Sequence, residues 1–432
     1  MTSGAKIKSV LVLSSANPTV GPGTLAADYW KALRQGGYDA DLLTLNPVEG
    51  HSEFLSLYNR SYSRFHNFRF KLWEKLRKPD PTGEHRLFYR NEKDMPVPFR
   101  RFRKAVRKHY DCVLIVFWQE MLTFETVRRL YHFMDRPRFV FACVDFSPAS
   151  GGCHFIGDCT SYDNGCGNCP MLGGTDPDDF TSANTRFRRR VYDEIKPVLT
   201  MNTYMAGYFR RSRALAPDTT IRYGTMLFDM DVFRPMPRGE SRSRFGLPDD
   251  SSFVIFFGSQ SLDEKRKGFD LLLDALAKLR RMLTDADAAR IRLLIAGRSI
   301  ETVKERLPFA YTYTGYVPSA DLPWLYSAAD VYLSPSVSDA GPSMVNQSLA
   351  CGTPVVAFEM GTAIDVIKDQ DTGVCAPVGD AEAFAKGIER IFRLSVDNRD
   401  SYEAMRSRCR DFALQAHSYD AFLTSFRSAL AE

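Results

Sequence analysis

Seven short runs in this chain are apolar from end to end and rich in β-branched and aromatic residues: 10–13, 113–118, 139–144, 253–257, 293–296, 331–333 and 355–358. A strand with no polar face must be covered on both sides, as strands of a parallel sheet are. Between the runs lie stretches with helical spacing, at 24–35, 269–282, 321–329 and 343–350. Strand–helix alternation predicts a doubly wound α/β architecture. It occurs twice, over 7–200 and over 252–395, and 432 residues exceed what one ordinary core holds. The expected division is a first Rossmann-like domain over 1–228 and a second over 229–400. Helices over 401–432 are expected to cross back to the first. The proline-punctuated stretch 226–238 reads as the crossing segment.

Charge and termini narrow the function classes. A net charge of +5 suits phosphate-bearing ligands, and no nucleic-acid-binding signature accompanies it. The apolar run near the N-terminus is too short for a signal peptide, and no stretch approaches the roughly 20 apolar residues of a membrane helix. The expected compartment is therefore the cytoplasm. There, nine cysteines are expected as thiols or metal ligands rather than disulfides.

The densest chemistry lies in 331–358, VYLSPSVSDAGPSMVNQSLACGTPVVAF. A strand ends in a loop carrying Asp339, Gly341, Pro342 and Ser343, and a helix follows. Gly341 permits close backbone approach, and the unpaired N–H groups of a helix start suit a diphosphate. Ser343 reads either as the N-cap or, with Pro342, as a first-turn residue. Asp339 and Gln347, seven residues intervening, are placed to hold sugar or ribose hydroxyls. Upstream, a strand reaches Gly258, and a polar loop then presents Arg266 and Lys267. Cations at the carboxyl end of a strand suit a pyrophosphate and the charge of a departing phosphate. Gly297 ends another strand. Main-chain groups of Tyr316 and Val317 suit a nucleobase edge, though a plain turn explains their spacing equally.

Taken in order, G-x-x…K-G-F-D-x-L-L-x-A-L, A-G-R, T-G-Y-V…D-L-P-x-L-Y-x-x-A-D-V-Y-L-S-P-S and A-C-G-T-P-V-V-A-F resemble the family-4 retaining glycosyltransferases. The likeness spans about 250–395. It implies the GT-B fold, two Rossmann-like domains facing a central cleft. It also implies a nucleoside-diphosphate sugar donor, UDP or GDP, and an acceptor hydroxyl on a glycan, a lipid-linked or a small molecule, as in surface-polysaccharide synthesis. It assigns the diphosphate to Lys267, the donor sugar to Asp339 and the ribose to Gln347. Family members usually carry two glutamates where this chain has Asp339 and Gln347, and an arginine where it has Ser259. The loop ending at Gly23 is expected at the cleft, or is simply a tight turn. No catalytic divalent metal is required. A non-catalytic nucleotide-sugar-binding or assembly subunit is the alternative, and epimerases and phosphorylases share the fold.

Residues 141–170 read FACVDFSPASGGCHFIGDCTSYDNGCGNCP. Cys153, Cys159, Cys166 and Cys169 fall within seventeen residues, and the last two have metal-knuckle spacing. A structural zinc site is expected; disulfides, free thiols and an iron–sulfur cluster are the alternatives. The stretch resembles a subgroup of the same family with H-D-x-W-x-x-T-G-G-C-H-Y…C…C-x-x-C-P. In that register Val144 replaces the histidine, leaving Asp145 or His154 as the polar group nearest the acceptor. His154 reads equally as a further metal ligand. Finally, 64–108 interleaves aromatics with basic residues that outnumber acids about threefold. Such a face suits peripheral contact with the inner membrane surface, or is a solvated helix face over an aromatic core.

Overall fold

The computed structural model describes residues 7–60, 91–224, 226–248, 252–302, 304–367 and 371–431. The chain divides into two compact units. One comprises Met1–Met201, Met205–Thr225 and Phe422–Glu432, the other Asn202–Tyr204 and Met226–Ala421.

The first unit is built on a seven-stranded sheet: β1 (Ser9–Ser14), β2 (Asp39–Thr44), β3 (Leu55–Ser56), β4 (Cys112–Ile115), β5 (Arg138–Ala142), β6 (Val198–Met201) and β7 (Thr220–Tyr223). Their order is β3-β2-β1-β4-β5-β6-β7. The second has β8 (Phe253–Ser261), β9 (Ile291–Arg298), β10 (Ala310–Gly315), β11 (Val331–Ser334), β12 (Val355–Phe358) and β13 (Gly373–Ala376), ordered β10-β9-β8-β11-β12-β13. All pairings are parallel. Both orders are the Rossmann order, reversing between β1 and β4 and between β8 and β11. The carboxyl ends of those strand pairs are where such sheets open a ligand crevice.

Period-two geometry explains why the strands show no polar face. In β8, Phe253, Ile255 and Phe257 enter one core with the helices Phe269–Met282 and Ala381–Asp397. Val254 and Phe256 enter the opposite core with the helices Leu322–Ala328 and Ser343–Ala350. Each buried side chain of this size contributes about 1.5–3 kcal/mol. Between these cores Asp330 is buried and takes charge-assisted hydrogen bonds from Arg242 and from the Val254 N–H.

The helix Arg399–His417 packs in the second unit through Tyr402, Met405 and Cys409. The helix Tyr419–Leu430 contributes Phe422 and Phe426 to the first, edge-on against Tyr29 and Tyr38. The D-x-D of the connecting stretch is a local turn: Asp229 accepts from the N–H groups of Asp231 and Val232. Among the described residues no helix is long and apolar enough to cross a membrane.

His417 is buried in the second unit, its Nδ1 donating to the Met226 carbonyl at 2.8 Å, with Phe228 and Phe412 against its ring. Burial pushes its pKa down to about 4. The unfolded chain binds this proton near pH 6.5, so stability is full above that value and falls as pH drops toward 4, by on the order of 3 kcal/mol. Urea unfolding between pH 6.5 and 5 should show this slope in the wild type, and a flatter profile in His417→Gln.

Candidate functional site

In the second unit the loops after β8 and β11 meet where the strand order reverses. The first makes a short turn, Lys265–Lys267, ended by Gly268 at φ +69°. A Cβ there would lie 1.9 Å from the Pro335 carbonyl oxygen, so only glycine fits. The turn is stitched to the second loop by the Arg266 carbonyl, which accepts from the N–H groups of Val337 and Ser338 at 2.9 and 3.3 Å.

This stitching brings Lys267, Arg266 and Asp339 together. Lys267 Nζ is 2.6 Å and Arg266 Nη1 3.1 Å from Asp339 Oδ2. Asp339 Oδ1 accepts from the Gly341 N–H at 3.3 Å, and Glu264 also pairs with Arg266, at 2.5 Å. Burial alone would raise the Asp339 pKa, but the two cations and the hydrogen bonds hold it below the usual carboxylate range. Pro342 is the N-cap of the helix Ser343–Ala350, and no side chain caps it. Ser343 is thus the first helical residue rather than the cap. Gln347 is held separately from this cluster: its amide oxygen accepts from the Tyr326 hydroxyl at 3.0 Å.

The remaining second-unit positions divide by cause. A Cβ on Gly258 would meet the Ala296 carbonyl oxygen at 2.4 Å, and one on Gly297 the Ser259 carbonyl oxygen at 2.2 Å. Both glycines let β8 and β9 approach where their register shifts. Tyr316 is 57% exposed, with the Arg298 guanidinium 5.6 Å from its ring centre, while Val317 packs partly against the core. In the first unit, Gly23 closes a tight turn, since a Cβ there would meet the Asn17 carbonyl oxygen at 2.0 Å.

Asp145 follows β5 and is buried. His154 Nδ1 stands 2.9 Å from its Oδ2, and the Gln119 amide donates to the same oxygen. Its Oδ1 accepts from the Ser147 N–H at 2.7 Å and hydroxyl at 2.5 Å. Against the raising effect of burial, His154 and Ser147 keep this carboxyl below its ordinary pKa. The His154 side chain is 30% exposed, so the pair presents a carboxylate-oriented imidazole at the surface of the unit.

Beneath it lies a buried ion pair that sequence reasoning did not single out. Arg188 Nε donates to Glu92 at 2.7 Å, and the guanidinium also reaches the Ser147 and Ser150 carbonyls. Glu92 accepts from the Phe124 N–H at 2.8 Å. In the run RFRRRV, nothing but the fold distinguishes Arg188 from its solvated neighbours.

Cys153, Cys159, Cys166 and Cys169 line one cavity and are free thiols. Among the described residues, no three His, Cys, Asp or Glu side chains already converge on a point suited to a metal ion. Of the basic–aromatic stretch 64–108, residues 64–90 lie outside the described residues. In the rest, Phe102 is buried, and the half-buried Phe99 stacks on it and meets Phe133, which is 41% exposed.

Residues 252–393 match the model of the family Glycosyl transferases group 1. That stretch contains the whole second sheet and both crevice loops. The D-inositol 3-phosphate glycosyltransferase of Mycobacterium tuberculosis is 29% identical over 218 residues, 47% of this chain and 43% of that protein. The chain thus spans less than half the length of the curated relatives it matches. Sucrose-phosphate synthase from Thermosynechococcus elongatus superposes with a TM-score of 0.65 at 17% identity, over 98% of both chains. Anabaena HepE in complex with UDP does so with a TM-score of 0.62 at 14% identity, over 98% of this chain and 100% of that one. The fold is therefore of the GT-B type, with two Rossmann-like α/β units.

Gly268→Ala should distort the Arg266–Lys267 turn. It forces a side chain into the left-handed region and against a carbonyl, a cost of roughly 2 kcal/mol or more. A lowered thermal midpoint is the expected result. An unchanged midpoint contradicts it.

Proposed function

We propose that the protein is a glycosyltransferase that takes a sugar from a nucleoside-diphosphate donor to an acceptor hydroxyl with retention of configuration. The observation that carries this reading is the convergence of Lys267 and Arg266 on Asp339 at the switch point, beside an uncapped helix start. A diphosphate brings oxygens that compete with Asp339 for both cations. As the anomeric carbon–oxygen bond breaks, its electron pair moves onto the leaving phosphate. Lys267, Arg266 and the helix N–H groups oppose that charge as it develops, so the scheme calls for no divalent ion. Asp339, released toward the sugar, is the polar group for donor hydroxyls. Gln347, held by Tyr326, serves the ribose, and Tyr316 with Val317 serves the base.

The first unit offers the Asp145–His154 pair to the acceptor, a hydroxyl on a glycan, a lipid-linked or a small molecule. The UDP named with HepE, and the sugar-transfer name of the mycobacterial relative, support the class of donor and reaction. UDP and GDP are the leading donor nucleotides.

Thermal-shift screening with UDP, GDP and ADP should identify one stabilising diphosphate, and transfer from the corresponding sugar, followed by NMR of the anomeric proton, should show retention. Lys267→Ala should slow turnover about 10²–10³-fold. Protection by a nucleotide without turnover on any acceptor would instead make the protein a binding or assembly subunit. No protection by any nucleoside diphosphate would end the proposal.

A further inference from the structure

The cysteine-lined cavity plays no part in the sugar-transfer reading and stands independently of it. The connection from Ser147 to Asp179 contains only three short 3-10 turns. A connection of this length without sheet or helix needs another source of order. Its four cysteines, scattered over seventeen residues, all face one cavity, with Ser150, Tyr162 and Thr181 among the other lining residues. The five other cysteines of the chain lie elsewhere.

We propose that Cys153, Cys159, Cys166 and Cys169 hold one zinc ion as a structural site, and that this ion fixes the loop bearing His154.

The backbone is arranged for it. Gly165, Cys166, Gly167 and Asn168 have φ of +96°, +60°, +86° and +44° in succession. Two of these are not glycine, and such strain persists only where something compensates it. The turn points both knuckle sulfurs at the cavity. The Gly151 N–H faces the Cys166 sulfur and the Met171 N–H that of Cys169, while the Thr185 hydroxyl and the Leu172 N–H donate to the Thr181 and Cys169 carbonyls. Donors to sulfur are the outer shell that thiolate ligands require. The buried Arg188 guanidinium adds positive charge near Cys153 and Cys166. Four soft thiolates select zinc or an iron–sulfur cluster. A cavity of about 20 Å³ has room for one ion among the four sulfurs, and metal and sulfide analysis separates zinc from a cluster. The sulfurs stand around the cavity rather than at bonding distance. A change of χ1 between staggered wells swings a sulfur by roughly 3 Å, and binding requires such a movement to reach the ~2.3 Å of a zinc–thiolate bond. Cys153 precedes His154, so the ion anchors the chain one residue from the group paired with Asp145.

The full chain, purified under reducing conditions, should carry one zinc by mass-spectrometric metal analysis. Titration of thiols with an organomercurial should release it. Cys166→Ser should lose the ion, and Cys375→Ser, remote from the cavity, should keep it. If Cys166→Ser proves insoluble, cobalt exchanged into the wild type reads the same site: a thiolate-to-cobalt charge-transfer band with tetrahedral visible absorption is expected. Chelation should raise amide exchange over residues 151–172 about tenfold or more while leaving β8 to β13 unchanged. Iron with acid-labile sulfide, two disulfides in the intact mass, a metal-free chain with four reactive thiols, or exchange over 151–172 indifferent to chelation would each overturn the proposal.

Discussion

One carboxylate organises the second unit's crevice. Lys267 and Arg266 approach the same oxygen of Asp339, and without that oxygen two cations would face each other in a partly buried turn. Their attraction keeps Asp339 ionised despite burial, so the group carries its charges in place before any ligand arrives. That arrangement depends in turn on the reversal of strand order, because only neighbouring strands with oppositely directed connections bring the loops after β8 and β11 together. Gly268 completes it by letting the cationic turn rest on the Pro335 carbonyl.

The first unit repeats the topology with a different polar solution. Its central tie is the Glu92–Arg188 pair, with both side chains almost wholly buried. Such a pair adds little net stability over an apolar replacement, but leaving either charge alone is costly. Here its geometry is the larger effect. Glu92 holds the start of the helix Phe124–Phe133, and Arg188 holds the carbonyls of Ser147 and Ser150. Asp145 and Ser147 are thereby fixed at the root of the loop that carries His154 and the cysteines.

Legibility followed burial. The fully apolar runs became β1, β4, β5, β8, β9, β11 and β12, because a strand covered on both faces has no polar positions to confuse the pattern. The sequence pattern passed over β2, whose Asp39 and Asp41 interrupt its apolar positions, and the short β3, β6, β7 and β13. Helices with one apolar stripe, such as Thr24–Gln35 and Phe269–Met282, were legible to the residue. At Gly23, Gly258 and Gly297 the missing side chain makes space for another stretch of this chain's own backbone, which no local pattern shows.

The residues alone determined the α/β class, its two-fold repetition and the chemical types at both sites, because periodicity, apolar runs and cation or thiol spacing are local properties. Tertiary structure decided which groups meet: that Arg266 and Lys267 share the Asp339 oxygen, that Gln347 turns to Tyr326, and that one arginine among several, Arg188, is buried against Glu92. The reason is that such encounters join residues 21 to 96 positions apart, and which residues they join depends on strand order and helix rotation, neither of which any local stretch encodes.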